Sequence, residues 1–93
     1  MVKIDNLVKR IREISNKDLE QIVLMEECGE VIQAVAHTIR PDRKPDVAHL
    51  TEELAQLYVS MAVVRGYFDI SDEDIQKEVD KKYRKHGLTH EDE

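Results

Sequence analysis

The stretch Met25-Glu26-Glu27-Cys28-Gly29-Glu30-Val31 has an echo later in the chain, at Thr51-Glu52-Glu53-Leu54-Ala55-Gln56-Leu57. In each, two glutamates precede an arbitrary residue, a small residue and a polar residue, and apolar helical sequence surrounds both. Carboxylates at i and i+3 project from nearly the same side of a helix, so Glu27 and Glu30 form a pair. Val23 and Ala34 lie near that side, which sets the pair among apolar positions. Two carboxylates there repel each other and resist desolvation. A divalent cation would compensate both costs.

Outward from this motif the chain reads as helices. The second helix runs from about Lys17 to near Ile39, with Ser15 and Asn16 as candidate caps and Asp18 and Glu20 in its first turn. Its main apolar face carries Leu24, Met25, Cys28, Ile32, Val35, Ala36 and Ile39, and Gly29 on its border would admit a close helix. Val23, Val31 and Ala34 make a narrower flank near Glu27. Apolar residues on two flanks imply more than one packing neighbour, hence a bundle that a second subunit completes. A first helix between Val2 and Ile14 carries Ile4, Leu7, Val8, Ile11 and Ile14 at helical spacing.

Arg40 to Asp46 holds two prolines and five charges and reads as an exposed loop. The third helix starts near Asp46, keeps a core stripe of Leu50, Leu54, Leu57, Tyr58, Met61 and Val64, and is expected to stop at Gly66. Glu53 lies at the margin of that stripe, in line with Leu57, Ser60 and Val64. Ser71 to Asp74 reads as an acidic helix start, and a fourth helix follows to about Lys85 with Ile75, Val79 and Tyr83 as its inner face. Gly87 ends it. The expected organisation is a single all-α domain, 1–88, followed by an acidic and disordered tail, 89–93.

Composition narrows the function classes. A chain of 93 residues supports one domain with a marginal core, which oligomerisation commonly completes. Aromatics are 4% and charged residues 37%, with few glycines and prolines, which favours helices over a turn-rich β fold. A net charge of −6 argues against non-specific nucleic-acid binding, which needs a basic surface. The single cysteine, Cys28, has no intramolecular disulfide partner. With no signal peptide and no membrane-spanning run, the chain reads as a soluble cytoplasmic protein.

Glu27, Glu30, Glu53 and Gln56 stand out as a ligand set. If the second and third helices pack antiparallel, the two motifs face each other across a groove. Oxygen donors at that density suit Mg²⁺, or Mn²⁺, and no His or Cys cluster has zinc spacing. A carboxylate-held Mg²⁺ that keeps waters also binds phosphates and activates a water nucleophile. Solvated acidic helices produce the same pattern by chance, but two motifs on two apolar helices one loop apart weigh against chance. Cys28, Met25 and Met61 read as packing residues, and His37 and His49, which flank the loop, read as surface residues rather than ligands.

Residues 21–34, 50–59 and 70–87 resemble the MazG-like all-α NTP pyrophosphohydrolases, whose hallmark is EExxE, a spacer, then ExxD, with a last-helix acid or amide and a basic residue. Glu26-Glu27-Cys28-Gly29-Glu30 supplies the first part, and Glu53-Leu54-Ala55-Gln56 stands where ExxD is expected. Asp80 matches the last-helix position, Lys82 or Lys85 the basic one, and Tyr83 a frequent aromatic. The resemblance implies a four-helix-bundle-like protomer that forms a homodimer or homotetramer. It also implies Mg²⁺-dependent cleavage of a nucleoside triphosphate to monophosphate and pyrophosphate, in nucleotide-pool clearance. Glu27, Glu30, Glu53 and Asp80 would hold metal, Lys82 or Lys85 would contact phosphate, and Glu27 or Glu30 would orient or deprotonate the attacking water.

Gln56 departs from the pattern. Its amide oxygen can ligate a hard cation, but it brings no charge and cannot serve as a base, so weaker metal binding or fewer ions are expected. Activity either survives on the remaining acids or is lost, and the second outcome leaves a helical module that binds nucleotide or a protein partner. A phosphoribosyl-ATP pyrophosphatase has a similar carboxylate pattern, but the compact basic pocket it would need is not evident.

Overall fold

The computed structural model describes residues 1–93 as an all-helical chain with no strand. Its helices are α1 (Asp5–Ile14), α2 (Lys17–Thr38), α3 (Val47–Tyr67) and α4 (Asp72–Lys85), followed by a short 3₁₀ turn at His90–Asp92. Local chemistry sets the starts. The Leu19 N–H donates to Asn16 Oδ1 at 2.9 Å, and the His49 N–H donates to Asp46 Oδ1 at 3.0 Å. At α4, Ser71 and Asp74 exchange side-chain and backbone hydrogen bonds in a capping box. No helix is long and apolar enough to cross a membrane.

The organising unit is the α2–α3 pair, with α1 laid against α3. The pair is antiparallel. Lys17, at the start of α2, lies 4.4 Å over the ring of Phe68 just beyond α3, and His37 near the end of α2 shares a cleft with Asp46 and His49 at the start of α3. The buried residues are Glu20 and Ala34 on α2 and Ser60 and Val63 on α3.

This arrangement departs from the expected order of faces, although Leu24 on α2 and Leu50, Leu57 and Val64 of the expected α3 stripe are half-buried. The narrow flank of α2, with Val23, Glu27, Val31 and Ala34, turns inward. The broad apolar face, expected as core, is open to solvent: Met25 is 66% exposed, Ile32 69% and Ile39 79%. On α3 the line Glu53, Leu57, Ser60 and Val64 turns inward, while Leu54, Tyr58 and Met61 are exposed. No atom approaches the place a Cβ would occupy on Gly29, so no helix packs closely there within the protomer.

Four further expectations are corrected. Gly66 does not stop α3, which continues to Tyr67 and reverses at Asp69, whose φ is +54°. The bare Cα of Gly66 instead admits Arg12, whose Nη1 lies 2.7 Å from where a Cβ would stand. The intended inner face of α4 is not buried, with Ile75 and Val79 both exposed. Arg65 ties the start of α4 to α3 through Asp72 at 2.7 Å, but α4 packs extensively on none of the other helices. The tail is not structureless: Thr89 caps the 3₁₀ turn, and Tyr83 donates to the Glu93 carboxylate.

Candidate metal centre

Glu27 and Glu30 sit mid-way along α2 and Glu53 sits two turns into α3. The antiparallel pairing brings carboxylate oxygens of all three within 4.8 Å of one another. This convergence follows from the turned helices. Because the narrow flank of α2 and the margin of the α3 stripe face inward, Glu27 and Glu53 occupy the seam between the helices, with the exposed Glu30 at its rim. The Glu53 side chain retains only 14% of its accessible surface.

The electrostatics of the seam are those of a site short of positive charge. The Oε2 atoms of Glu27 and Glu53 are sealed from solvent and have no hydrogen-bond partner. Burial raises the pKa of Glu27 above its usual range, and the charges of Glu30 and Glu26 add to the rise. Glu53 is raised chiefly by the close approach of the Glu30 carboxylate, and then by burial and the Glu30 charge. His49 pulls the other way, with its Nδ1 4.0 Å from Glu53 Oε1. An orphaned buried carboxylate oxygen costs free energy that either a proton or a cation can recover. Three hard oxygen donors in one place fit Mg²⁺ or Mn²⁺ better than a softer ion.

Of the remaining candidates, Gln56 is exposed on α3, one turn after Glu53. Asp80, on α4, is held at Oδ1 by the Gln76 amide at 3.0 Å and by His90 Nδ1 at 2.6 Å. Those two hydrogen bonds lower its pKa. Lys82 and Lys85 are exposed on the same helix.

His37 and His49, read from the sequence as surface residues, share a cleft of about 220 Å³ with Gln33, Ala34 and Asp46 beside the carboxylates. The signal that could have found them is register: His49 stands one turn before Glu53, and Gln33 and His37 stand one and two turns after Glu30. The chain matches no family model, no curated protein and no solved structure.

Proposed function

We propose that this chain is a metal-dependent nucleoside triphosphate pyrophosphohydrolase of the MazG-like kind, releasing pyrophosphate and leaving the monophosphate. The observation that carries this reading is the meeting of Glu27, Glu30 and Glu53 from two helices with two buried oxygens unpartnered. A solvated acidic face would hold its carboxylates apart and wet. The motif resemblance in α2 and α3 supports the same assignment.

Glu27, Glu30 and Glu53 would hold Mg²⁺ or Mn²⁺, with Gln56 and Asp80 as further ligands implied by the resemblance. The bound cation supplies neutralising charge for phosphate oxygens and lowers the pKa of a coordinated water. Glu30, more exposed than its two partners, would orient the attacking water or take its proton, with Glu27 as the alternative base. Lys82 and Lys85 would reach phosphate only if α4 were brought over the seam.

The open surface of the protomer supports the oligomer in this reading. The protomer exposes 7637 Å², whereas a compact monomer of 10.8 kDa exposes roughly 5,500 Å². The surplus of roughly 2,000 Å² per protomer falls within the range of obligate homodimer interfaces. We read the exposed apolar faces of α2 and α3 as the surface a homodimer or homotetramer buries.

The test is pyrophosphate release from a panel of ribo- and deoxyribonucleoside triphosphates with Mg²⁺ or Mn²⁺, with Glu53→Ala as the blank. Release that needs both the metal and Glu53 is expected. A second reading, a catalytically weakened module that binds nucleotide or a protein partner, is favoured by Gln56 itself, an uncharged amide where the resemblance expects an Asp. Folded protein that releases nothing from any nucleotide, with turnover restored by Gln56→Asp, would decide for that module.

A further inference from the structure

We infer that the cleft at the loop end of the α2–α3 pair, walled by His37 and His49, receives the phosphate chain of a polyphosphate ligand anchored at the three glutamates. The inference rests on the metal-centre reading above and adds the place where the ligand's phosphates lie.

Position comes first. Gln33 and His37 continue the line of Glu30 along α2, and His49 precedes Glu53 by one turn on α3. Both helices therefore lead from the carboxylates into the same cleft, and the closest step is the 4.0 Å between His49 Nδ1 and Glu53 Oε1. The cleft volume of about 220 Å³ is several times the ~30 Å³ share of one water molecule.

Chemistry comes second. Gln33 offers two amide donors, and each imidazole offers at least one. The only apolar lining residue is Ala34, which is 4% exposed and contributes a methyl group. A nucleobase would want a broad apolar wall, which Ala34 alone does not make, and the two imidazoles are the only rings in the lining. Asp46 is the one anion in the lining. Its Oδ1 already accepts the His49 N–H at 3.0 Å as the cap of α3, so the cleft also opens at the positive end of that helix.

Two of the three loop cations are already paired. Arg40 and Arg43 both face Asp42, at 3.5 and 3.9 Å. A second cleft, lined by Lys9, Arg12 and Arg65, lies at the opposite end of α3, roughly 18 Å along the helix from Glu53. There Arg65 is already bound to Asp72 and to the Ile70 carbonyl.

The test is calorimetric titration of inorganic pyrophosphate into protein saturated with Mn²⁺, preceded by titration of Mn²⁺ alone. In the double variant His37→Ala/His49→Ala, Mn²⁺ affinity should stay within about threefold of the parent while pyrophosphate affinity falls about tenfold or more, the scale of losing hydrogen bonds to a charged ligand. The pair His37→Gln/His49→Gln keeps side-chain donors and should recover part of that loss, which gives a reading even if the alanine variant folds poorly. Unchanged pyrophosphate affinity in both variants overturns the inference. So does a loss of Mn²⁺ affinity equal to the loss of pyrophosphate affinity, since the imidazoles would then serve the metal. So does weakened binding of a nucleoside with pyrophosphate unaffected, which would make the cleft a base site. A parent protein that binds no Mn²⁺ fails one step earlier and removes the metal-centre reading itself.

Discussion

Glu27 and Glu53 both bind a proton more tightly in the folded chain than in the unfolded one. For an acid whose folded pKa is raised, the folded state carries more protons, so its contribution to stability falls as pH rises from the ordinary glutamate value through the folded one. Asp74 and Asp80 shift the other way, and their stabilisation is lost only as pH falls below the ordinary aspartate value. The two effects occupy separate windows. With chelator present, the thermal midpoint should therefore rise as pH is lowered toward the ordinary glutamate value. Mg²⁺ competes with those protons, so its stabilisation should grow over the same range as pH rises. Glu27→Gln should flatten the chelated profile and abolish the Mg²⁺ effect while helicity is kept. Thermal denaturation at three pH values with and without Mg²⁺ reads all of this, and equal Mg²⁺ stabilisation of the variant would reject Glu27 as a ligand. At this scale the glutamates were legible because i, i+3 spacing is a local property of a helix. The rise at Glu53 was not, since it comes from Glu30 on another helix, and the rise at Glu27 needed the burial that the helix pairing brings.

Among the elements, α4 is the one held least by its neighbours and most by its own ends. Its capping box at Ser71 and Asp74 satisfies backbone donors at the start, and Gly87, with φ +72°, closes the end. Ser71→Ala should cost about 1 kcal/mol of α4 stability. Amide exchange along 72–85 should quicken about fivefold while α2 and α3 amides hold their rates. Uniform quickening across all helices would mean that α4 is part of the same cooperative unit as the α2–α3 pair. Helix boundaries were legible from caps and from the proline-bearing loop because those signals act within a few residues. Gly66 misled because its use is tertiary: the missing Cβ admits Arg12, whose guanidinium lies 5.4 Å over the Tyr67 ring.

As a whole the protomer is open. Its radius of gyration of 15.9 Å exceeds the roughly 12 Å of a compact chain this long. Ile32 and Met61, 69% and 54% exposed, belong to the face we assign to a second copy. Light scattering at micromolar concentration should give at least twice the monomer mass. Ile32→Glu should weaken association roughly a hundredfold, because a charge would be buried without a partner. A monomeric parent that unfolds cooperatively would reject the oligomer.

The sequence by itself determined four helices, most of their boundaries, the two glutamate motifs and a surplus of apolar surface. Each of these is set by neighbours within one or two turns: periodicity, caps, and breakers such as Pro41 and Pro45. The tertiary structure alone decided which apolar flank of α2 meets α3, and therefore that Glu27, Glu30 and Glu53 share a seam that His37 and His49 extend. A pattern along one helix names its faces but not its rotation against another helix, and that rotation is fixed by non-local packing, here the burial of Ala34 toward the loop end of the pair and of Ser60 and Val63 further along α3.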